Sequence, residues 1–338
     1  MTAIETPGLY DAWAWDRPGS PMLLQRVARP WRAPAAGEVV VTNAVSAFNP
    51  VDWKMIATGH PAWQPGHVPG VDGVGRIAAV GAGVHLPIGM RVAYHQDLTR
   101  DGSFAAYTIL TAGCAIPVPD EVTDDIAASL PCPGLTAWQA ISKVPAPERN
   151  GGGQDVLVTG AGGTVALILT QFALRRNWRV WVTASPRHHE RLLALGVAGV
   201  FDYRATGWQR QLQETLGPRR LHAVFDTVSG DHARSLAPMV GYNGHLVCIQ
   251  DRLDSPPCPP FTTALSLHEV ALNAIHQQAT HADWLEWRRA GASLMGDVVC
   301  GTLMLPPVHA VAFAELPTAL SEFQAGRLHG KIAANILI

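Results

Sequence analysis

No part of this chain constrains its fold more than the stretch from Asp155 to Glu190. An apolar strand, Asp155-Val156-Leu157-Val158-Thr159, runs into the glycine turn Gly160-Ala161-Gly162-Gly163-Thr164-Val165-Ala166, which opens a helical run through Leu174. A second strand follows at Arg179 to Thr183. The spacing is GxxGxxA. Gly160 lets the chain reverse, Gly163 lets backbone N–H groups approach a pyrophosphate at the helix N-terminus, and Ala166 is small enough for the helix to lie on its strand. Strand, turn and helix in that order predict a dinucleotide site.

The second strand leads to Ala184-Ser185-Pro186-Arg187-His188-His189, which should face the adenosine ribose. Enzymes that use NAD place Asp or Glu there to hold the 2′-hydroxyl. Between Asp155 and Glu190 this chain has no carboxylate, whereas Ser185, Arg187, His188 and His189 offer donors and positive charge. Basic residues sit badly against a helix N-terminus unless an anion offsets them, so the pattern predicts a 2′-phosphate and therefore NADPH. The competing reading makes Ser185-Pro186 a simple cap on a helix over Pro186 to Leu195, with the basic groups solvated.

At 338 residues the chain is too long for one compact core and suits two domains. A formal net charge of -2 without any Lys/Arg run argues against nucleic acid or an anionic membrane as partner and favours a small molecule. Apolar residues are interrupted by 26 Pro and 32 Gly, and no run approaches a membrane span. The first residues carry Glu5, Asp11 and Asp16 and lack a basic start with an apolar core, so no signal peptide and a cytoplasmic location are expected. Five scattered cysteines, with no CxxC pair, encode neither a disulfide framework nor a four-cysteine zinc lobe.

Residues 1 to about 130 read as β-rich, with segments at Glu38 to Val45, Val74 to Val80, Arg91 to His95 and Ser103 to Leu110 between Gly and Pro turns. From Asp155 strands at Val180 to Thr183, Gly199 to Asp202, Ala223 to Thr227 and Gly244 to Ile249 alternate with helical segments, which predicts a parallel sheet with right-handed crossovers. Pro145 to Gly153 and Ser255 to Pro260 read as loops. Leu267 to Ile275 fits a strand or a helix equally well.

The ordered segments Asn49-Pro50-Val51-Asp52-Trp53-Lys54, Pro69-Gly70-Val71-Asp72-Gly73-Val74-Gly75, Gly102-Ser103-Phe104-Ala105-Ala106-Tyr107, Gly134-Leu135-Thr136-Ala137-Trp138, the glycine turn and the closing Gly330-Lys331-Ile332 span nearly the whole chain. In these the chain resembles the medium-chain dehydrogenase/reductases, in the zinc-independent NADPH:quinone oxidoreductase branch with its zeta-crystallin-like and enone-reducing members. The resemblance implies an α/β protein: a GroES-like β-rich catalytic domain (1–130, completed by 280–338), a Rossmann doubly wound parallel-sheet coenzyme domain (131–279), and a substrate cleft where they meet. The oligomeric state stays open and is compatible with a homodimer.

Zinc members of that family hold the metal with a Cys, a His that precedes a Glu, and a later Cys or His. Here those positions correspond to Asn49, Val71-Asp72 and Cys132. One ligand cannot make a catalytic zinc site, which needs three and an open position, so no metal is expected and Cys132 reads as a small buried residue. Without zinc to stabilise an alkoxide, conjugate reduction of a quinone or enone asks less of the protein than alcohol oxidation. The resemblance places Asn49 at the nicotinamide end of the cleft as a hydrogen-bond donor, with Lys54 as electrostatic clamp or proton source. The local reading makes Asn49-Pro50 a helix-starting turn and Lys54 a solvated residue. Trp53 stands where relatives often carry a tyrosine.

The resemblance also brings Thr136 to the nicotinamide ribose, Tyr203 to the adenosine phosphate, and Cys248-Ile249-Gln250 past the carboxamide, while Trp63 and Phe261 could stack on a flat substrate. Each has a packing alternative in a chain with eleven tryptophans. Two other function classes stay open: a nucleotide-binding protein without turnover, separated by the lack of a usable hydride acceptor, and a zinc alcohol dehydrogenase, opposed by the missing ligands.

Overall fold

The computed structural model describes residues 8–145 and 153–336. The chain divides into two compact units, Met1–Cys132 with Asn273–Thr302 and Pro306–Ile338, and Pro133–Leu272 with Leu303–Leu305. The predicted loop at Pro145 to Gly153 lies, except for its end residues, outside the described part.

The second unit holds a six-stranded parallel sheet in the order Gly199–Phe201, Arg179–Thr183, Asp155–Val158, Leu221–Asp226, Val240–Cys248, Ser266–Glu269. Its central strands are apolar throughout because both faces are covered: Val156, Leu157, Val158, Val224 and Phe225 are fully buried. Helices Thr164–Arg175, His189–Ala194, Trp208–Leu216 and Asp231–Leu236 make the crossovers. Strand order reverses between Asp155–Val158 and Leu221–Asp226, and ligands of doubly wound sheets bind at such a switch point.

Two local expectations are refined. The helix expected over Pro186 to Leu195 is a 3-10 turn, Pro186–His188, followed by the helix His189–Ala194. Leu267 to Ile275 is both alternatives in succession: the edge strand Ser266–Glu269 ends, a 3-10 turn follows at Leu272–Ala274, and a short helix begins at Ile275. A run that changes period halfway cannot be assigned to one element by periodicity.

The first unit is a seven-stranded mixed sheet in the order Val308–Ala312, Lys331–Asn335, Glu38–Ala47, Asp72–Val80, Arg91–His95, Ile116–Pro117, with Tyr107–Thr111 also paired to Glu38–Ala47. Lys331–Asn335 pairs antiparallel with residues 45–47, so the end of the chain completes a sheet begun near its start. Helix His281–Val299 lies so close to the short strand that a Cβ at Gly291 would meet the Ile116 side chain at 2.7 Å. Phe48 and Phe104, edge to face at 5.7 Å, anchor the core beside helix Pro50–Thr58.

Candidate active site

Asn49 precedes helix Pro50–Thr58, and the helix start fixes its backbone: Asp52 Oδ2 accepts the Asn49 N–H at 2.6 Å and Asp52 Oδ1 accepts the Val71 N–H at 3.0 Å. The Asn49 side chain is thereby left for other partners. Its Nδ2 donates to Asp72 Oδ2 at 2.8 Å, and its Oδ1 accepts from Lys331 Nζ at 2.6 Å. The Lys331 ammonium also donates to the Phe48 carbonyl at 2.9 Å. Asp72 begins its strand directly opposite His95, and His95 Nδ1 lies 3.0 Å from Asp72 Oδ1. The Cys132 N–H reaches both Asp72 oxygens at 3.0 Å.

Asn49, Asp52, Asp72, His95 and Lys331 are all buried. Burial pushes the Asp52 carboxyl up to about 7 against its backbone hydrogen bonds, and burial lowers Lys331 although Asp72, Cys132 and Asp52 favour its charge. Asp72 is thus a carboxylate surrounded by donors that hold it in one orientation.

The second unit carries the glycine turn. Gly160 takes φ +69°, a backbone that only glycine adopts readily, and its N–H donates to Thr183 Oγ1 at 3.0 Å. Gly163 precedes helix Thr164–Arg175, whose first-turn N–H groups have no carbonyl one turn back. A Cβ on Gly162 would meet His188 Cδ2 at 2.5 Å, so the imidazole rests on the glycine turn. Ser185 and Arg187 flank it on the same 3-10 turn. Ala161 and Ala166 are buried, and Thr164 and Val165 are half-exposed at the helix start. The first-turn N–H groups of that helix are donors that fit the pyrophosphate of a nicotinamide dinucleotide, and the Arg187 Nε–H donates to His188 Nε2 at 3.1 Å.

Among the other expected residues, Thr136 is buried in helix Pro131–Ser142, and Cys248 is buried at the end of its strand with Ile249 following. Tyr203 is exposed with the Arg204 guanidinium 5.2 Å from its ring. Trp53 packs against the first unit's core and Lys54 Nζ stands 5.6 Å from its ring. Phe261 is fully exposed, with φ +59°. Trp63 takes the packing alternative: it is buried, its indole N–H donates to the Leu98 carbonyl at 2.6 Å, and its ring stacks on His67 at 4.3 Å. His95 and the role of Lys331 were missed, because both depend on strand register between distant segments.

Residues 35–120 match the alcohol dehydrogenase GroES-like domain and residues 195–333 the zinc-binding dehydrogenase family. The chain is 30% identical to an Arabidopsis thaliana chloroplast envelope quinone oxidoreductase homolog over 67% of this chain and 70% of that one. This chain belongs to the medium-chain dehydrogenase/reductases. It is 31% identical to the trans-enoyl reductase tazE of Aspergillus terreus over 58% of this chain and 69% of that protein. The fold is shared with a putative NADPH:quinone reductase from Bacillus thuringiensis, with a TM-score of 0.85 and 23% identity over 97% of this chain and 99% of that one. The medium-chain family makes the protein an oxidoreductase with a nicotinamide cofactor and a small-molecule substrate. Among the described residues no helix is long and apolar enough to cross a membrane.

Some members of the family carry zinc. At the positions corresponding to its ligands this chain presents an amide, a valine and one cysteine, Asn49, Val71 and Cys132. That set does not fit a tetrahedral metal.

Proposed function

We propose that this protein reduces quinones or α,β-unsaturated carbonyl compounds with NADPH, by direct hydride transfer and with no metal at the family's zinc position. The observation that carries this reading is the Asn49 amide, clamped between Lys331 and Asp72 where zinc members place a metal-binding thiolate. Bound NADPH supplies the hydride. The amide's second N–H is a donor of fixed direction, suited to the negative charge that develops on the oxygen of an enone or quinone as its carbon is reduced. Lys331 polarises the same amide through its oxygen, and so strengthens it as a donor.

The glycine turn and the N–H groups of Thr164 and Val165 would hold the pyrophosphate, with Ser185, Arg187 and His188 on the 2′-phosphate. Thr136, Tyr203, Cys248 and Ile249 remain cofactor contacts in this reading, Trp53 and Phe261 substrate contacts, and Lys54 a source of positive potential. The names of the quinone oxidoreductase and enoyl reductase relatives support the acceptor class.

The test is NADPH oxidation against a panel of 1,4-quinones, short enones and unsaturated acyl thioesters. At least one class should be reduced, and Asn49→Ala should lower kcat about 10²-fold while the NADPH dissociation constant changes little. NADPH binding without reduction of any acceptor would instead favour a nucleotide-binding protein without turnover.

A further inference from the structure

We propose that the first unit carries a second ligand site, a cleft for a small aromatic carboxylate, built from residues that take no part in the hydride step. The cleft has a volume of about 280 Å³ beside the strand Tyr107–Thr111, and Arg29, Arg32 and Arg100 line it together with Tyr10, Tyr107 and Asp101. That volume lies just under the roughly 300 Å³ at which pockets for drug-sized ligands begin, so the occupant is small. None of these residues belongs to the nucleotide contacts either, and the two ideas fail separately.

Charge selects an anion. Among the described residues Asp101 pairs with Arg29 at 2.8 Å, while Glu38 pairs with Arg100 at 2.6 Å and with Arg32 at 3.6 Å. Three guanidiniums thus share two carboxylates, which leaves one positive charge at the cleft without a counter-charge of its own. His67 also lies 3.5 Å from Asp101, but burial holds its imidazole down to about 4 and so neutral at pH 7. A carboxylate carries the single negative charge that this surplus balances, whereas a phosphate monoester carries about 1.5 to 2 at pH 7 and would meet Asp101 in the wall. The guanidinium fork matches a carboxylate with two parallel hydrogen bonds, and the Arg32 side chain, 60% exposed, is free to turn onto one.

The fold supplies an aromatic wall and holds the cleft open. Tyr10 stands directly opposite Arg29 across the antiparallel pair Leu9–Ala14 and Gln25–Pro30, and its ring meets that of Tyr107 edge to face at 5.5 Å. Two such rings offer a flat ligand an apolar surface. Burial and the Asp101 carboxylate push the Tyr10 phenol above its ordinary range, so its hydroxyl keeps the proton and remains a donor at neutral pH. The segments that carry Asp101 and Tyr107 are tied down: Gln96 Nε2 donates to the carbonyls of Asp101 at 2.8 Å and Ile109 at 2.9 Å, and Thr108 Oγ1 donates to that of Gly102 at 2.9 Å. A cleft fixed in this way loses little freedom when it is filled.

The full-length protein is titrated calorimetrically with sodium benzoate, acetate and inorganic phosphate, each with and without NADP⁺. Benzoate should saturate one site per chain, more tightly than acetate or phosphate and equally well in the presence of NADP⁺. Arg32→Ala should weaken benzoate binding at least about tenfold, the loss of one charge-assisted contact, and Arg32→Lys should recover only part of it. Arg26→Ala, on the strand that carries Arg29 but paired with Asp11, should leave the affinity unchanged. Should a variant fold poorly, a wild-type crystal soaked in 4-bromobenzoate decides: anomalous bromine density between Tyr107 and Arg32 supports the site, and its absence there overturns it. The proposal is also overturned by benzoate binding that does not saturate, that NADP⁺ competes away, or that survives Arg32→Ala at equal affinity. Acetate or phosphate binding as tightly as benzoate overturns the aromatic carboxylate as the ligand class.

Discussion

The Lys331 ammonium and the Asn49 side-chain oxygen meet at 2.6 Å although 282 positions separate them in the chain. The contact puts the last strand of the first unit in control of the loop that carries the proposed donor. Removing the ammonium strands two buried acceptors, Asn49 Oδ1 and the Phe48 carbonyl, and takes away a positive charge that interacts with the Asp72 carboxylate. Lys331→Met should therefore destabilise the protein by about 2 to 5 kcal/mol, roughly 1 to 3 for each buried acceptor left unsatisfied. Lys331→Arg, which keeps the charge, should recover part of it. Denaturant unfolding of both variants measures this, and a loss under about 1 kcal/mol in Lys331→Met would mean the network carries little stability.

What the sequence made legible was local. Gly160 to Ala166 could be read as a turn between a strand and a helix because the glycines, the preceding strand and the following helix are contiguous, and each needs only its neighbours to make sense. Likewise the missing carboxylate before Glu190 is a statement about composition. The cluster around Asp72 was closed to such reading: it joins residues 49, 72, 95, 132 and 331 through strand register, which a single sequence does not reveal. Trp63 is decided the same way: substrate stacking and packing were both open in the sequence, and it is distant partners that fill its surroundings, Leu98 taking its N–H and His67 its face.

The ribose end of the nucleotide site yields a separate expectation. Arg187 and His188 share a 3-10 turn beside the glycine turn, and no carboxylate stands between Asp155 and Glu190 to hold a 2′-hydroxyl. A charge-assisted contact to phosphate contributes roughly 1.5 to 3 kcal/mol, so NADPH should bind at least about tenfold more tightly than NADH. Combining Arg187→Ala with Ser185→Ala should erase most of that preference and leave NADH binding nearly unchanged. Equal affinities for the two nucleotides in the wild-type protein would refute the assignment.

Gly160 carries a backbone demand that no other residue type meets cheaply. Its φ of +69° costs an L-residue about 1 to 2 kcal/mol, and a Cβ there would stand 2.5 Å from Thr227 Oγ1, which is itself tied to the Thr159 carbonyl. Gly160→Ala should lower stability by about that amount and weaken NADPH binding tenfold or more, because the turn must shift to make room. Thermal unfolding with and without NADPH reads both effects. Ligand-induced stabilisation equal to that of the wild-type protein would show that the turn tolerates the change.

The stacked pair of Trp63 and His67 makes the first unit sensitive to acid. Burial holds the His67 imidazole down to about 4, with His60 and Arg29 also opposing its charge and Asp101 favouring it. An unfolded histidine titrates near 6.5, so in the window between about 6.5 and 4 the unfolded chain binds a proton that the folded chain refuses. The contribution of His67 is thus fully present above about 6.5 and declines as pH falls, at no more than about 1.4 kcal/mol per pH unit for one proton. His67→Gln keeps a polar side chain of similar length and cannot take up that proton. Its unfolding free energy should fall less than the wild type's between pH 7 and pH 5, with tryptophan fluorescence reporting the transition through the neighbouring Trp63 ring, 4.3 Å from His67. If the two proteins lose stability in parallel over that interval, the acid sensitivity lies in other groups and the imidazole at position 67 titrates as it would in water.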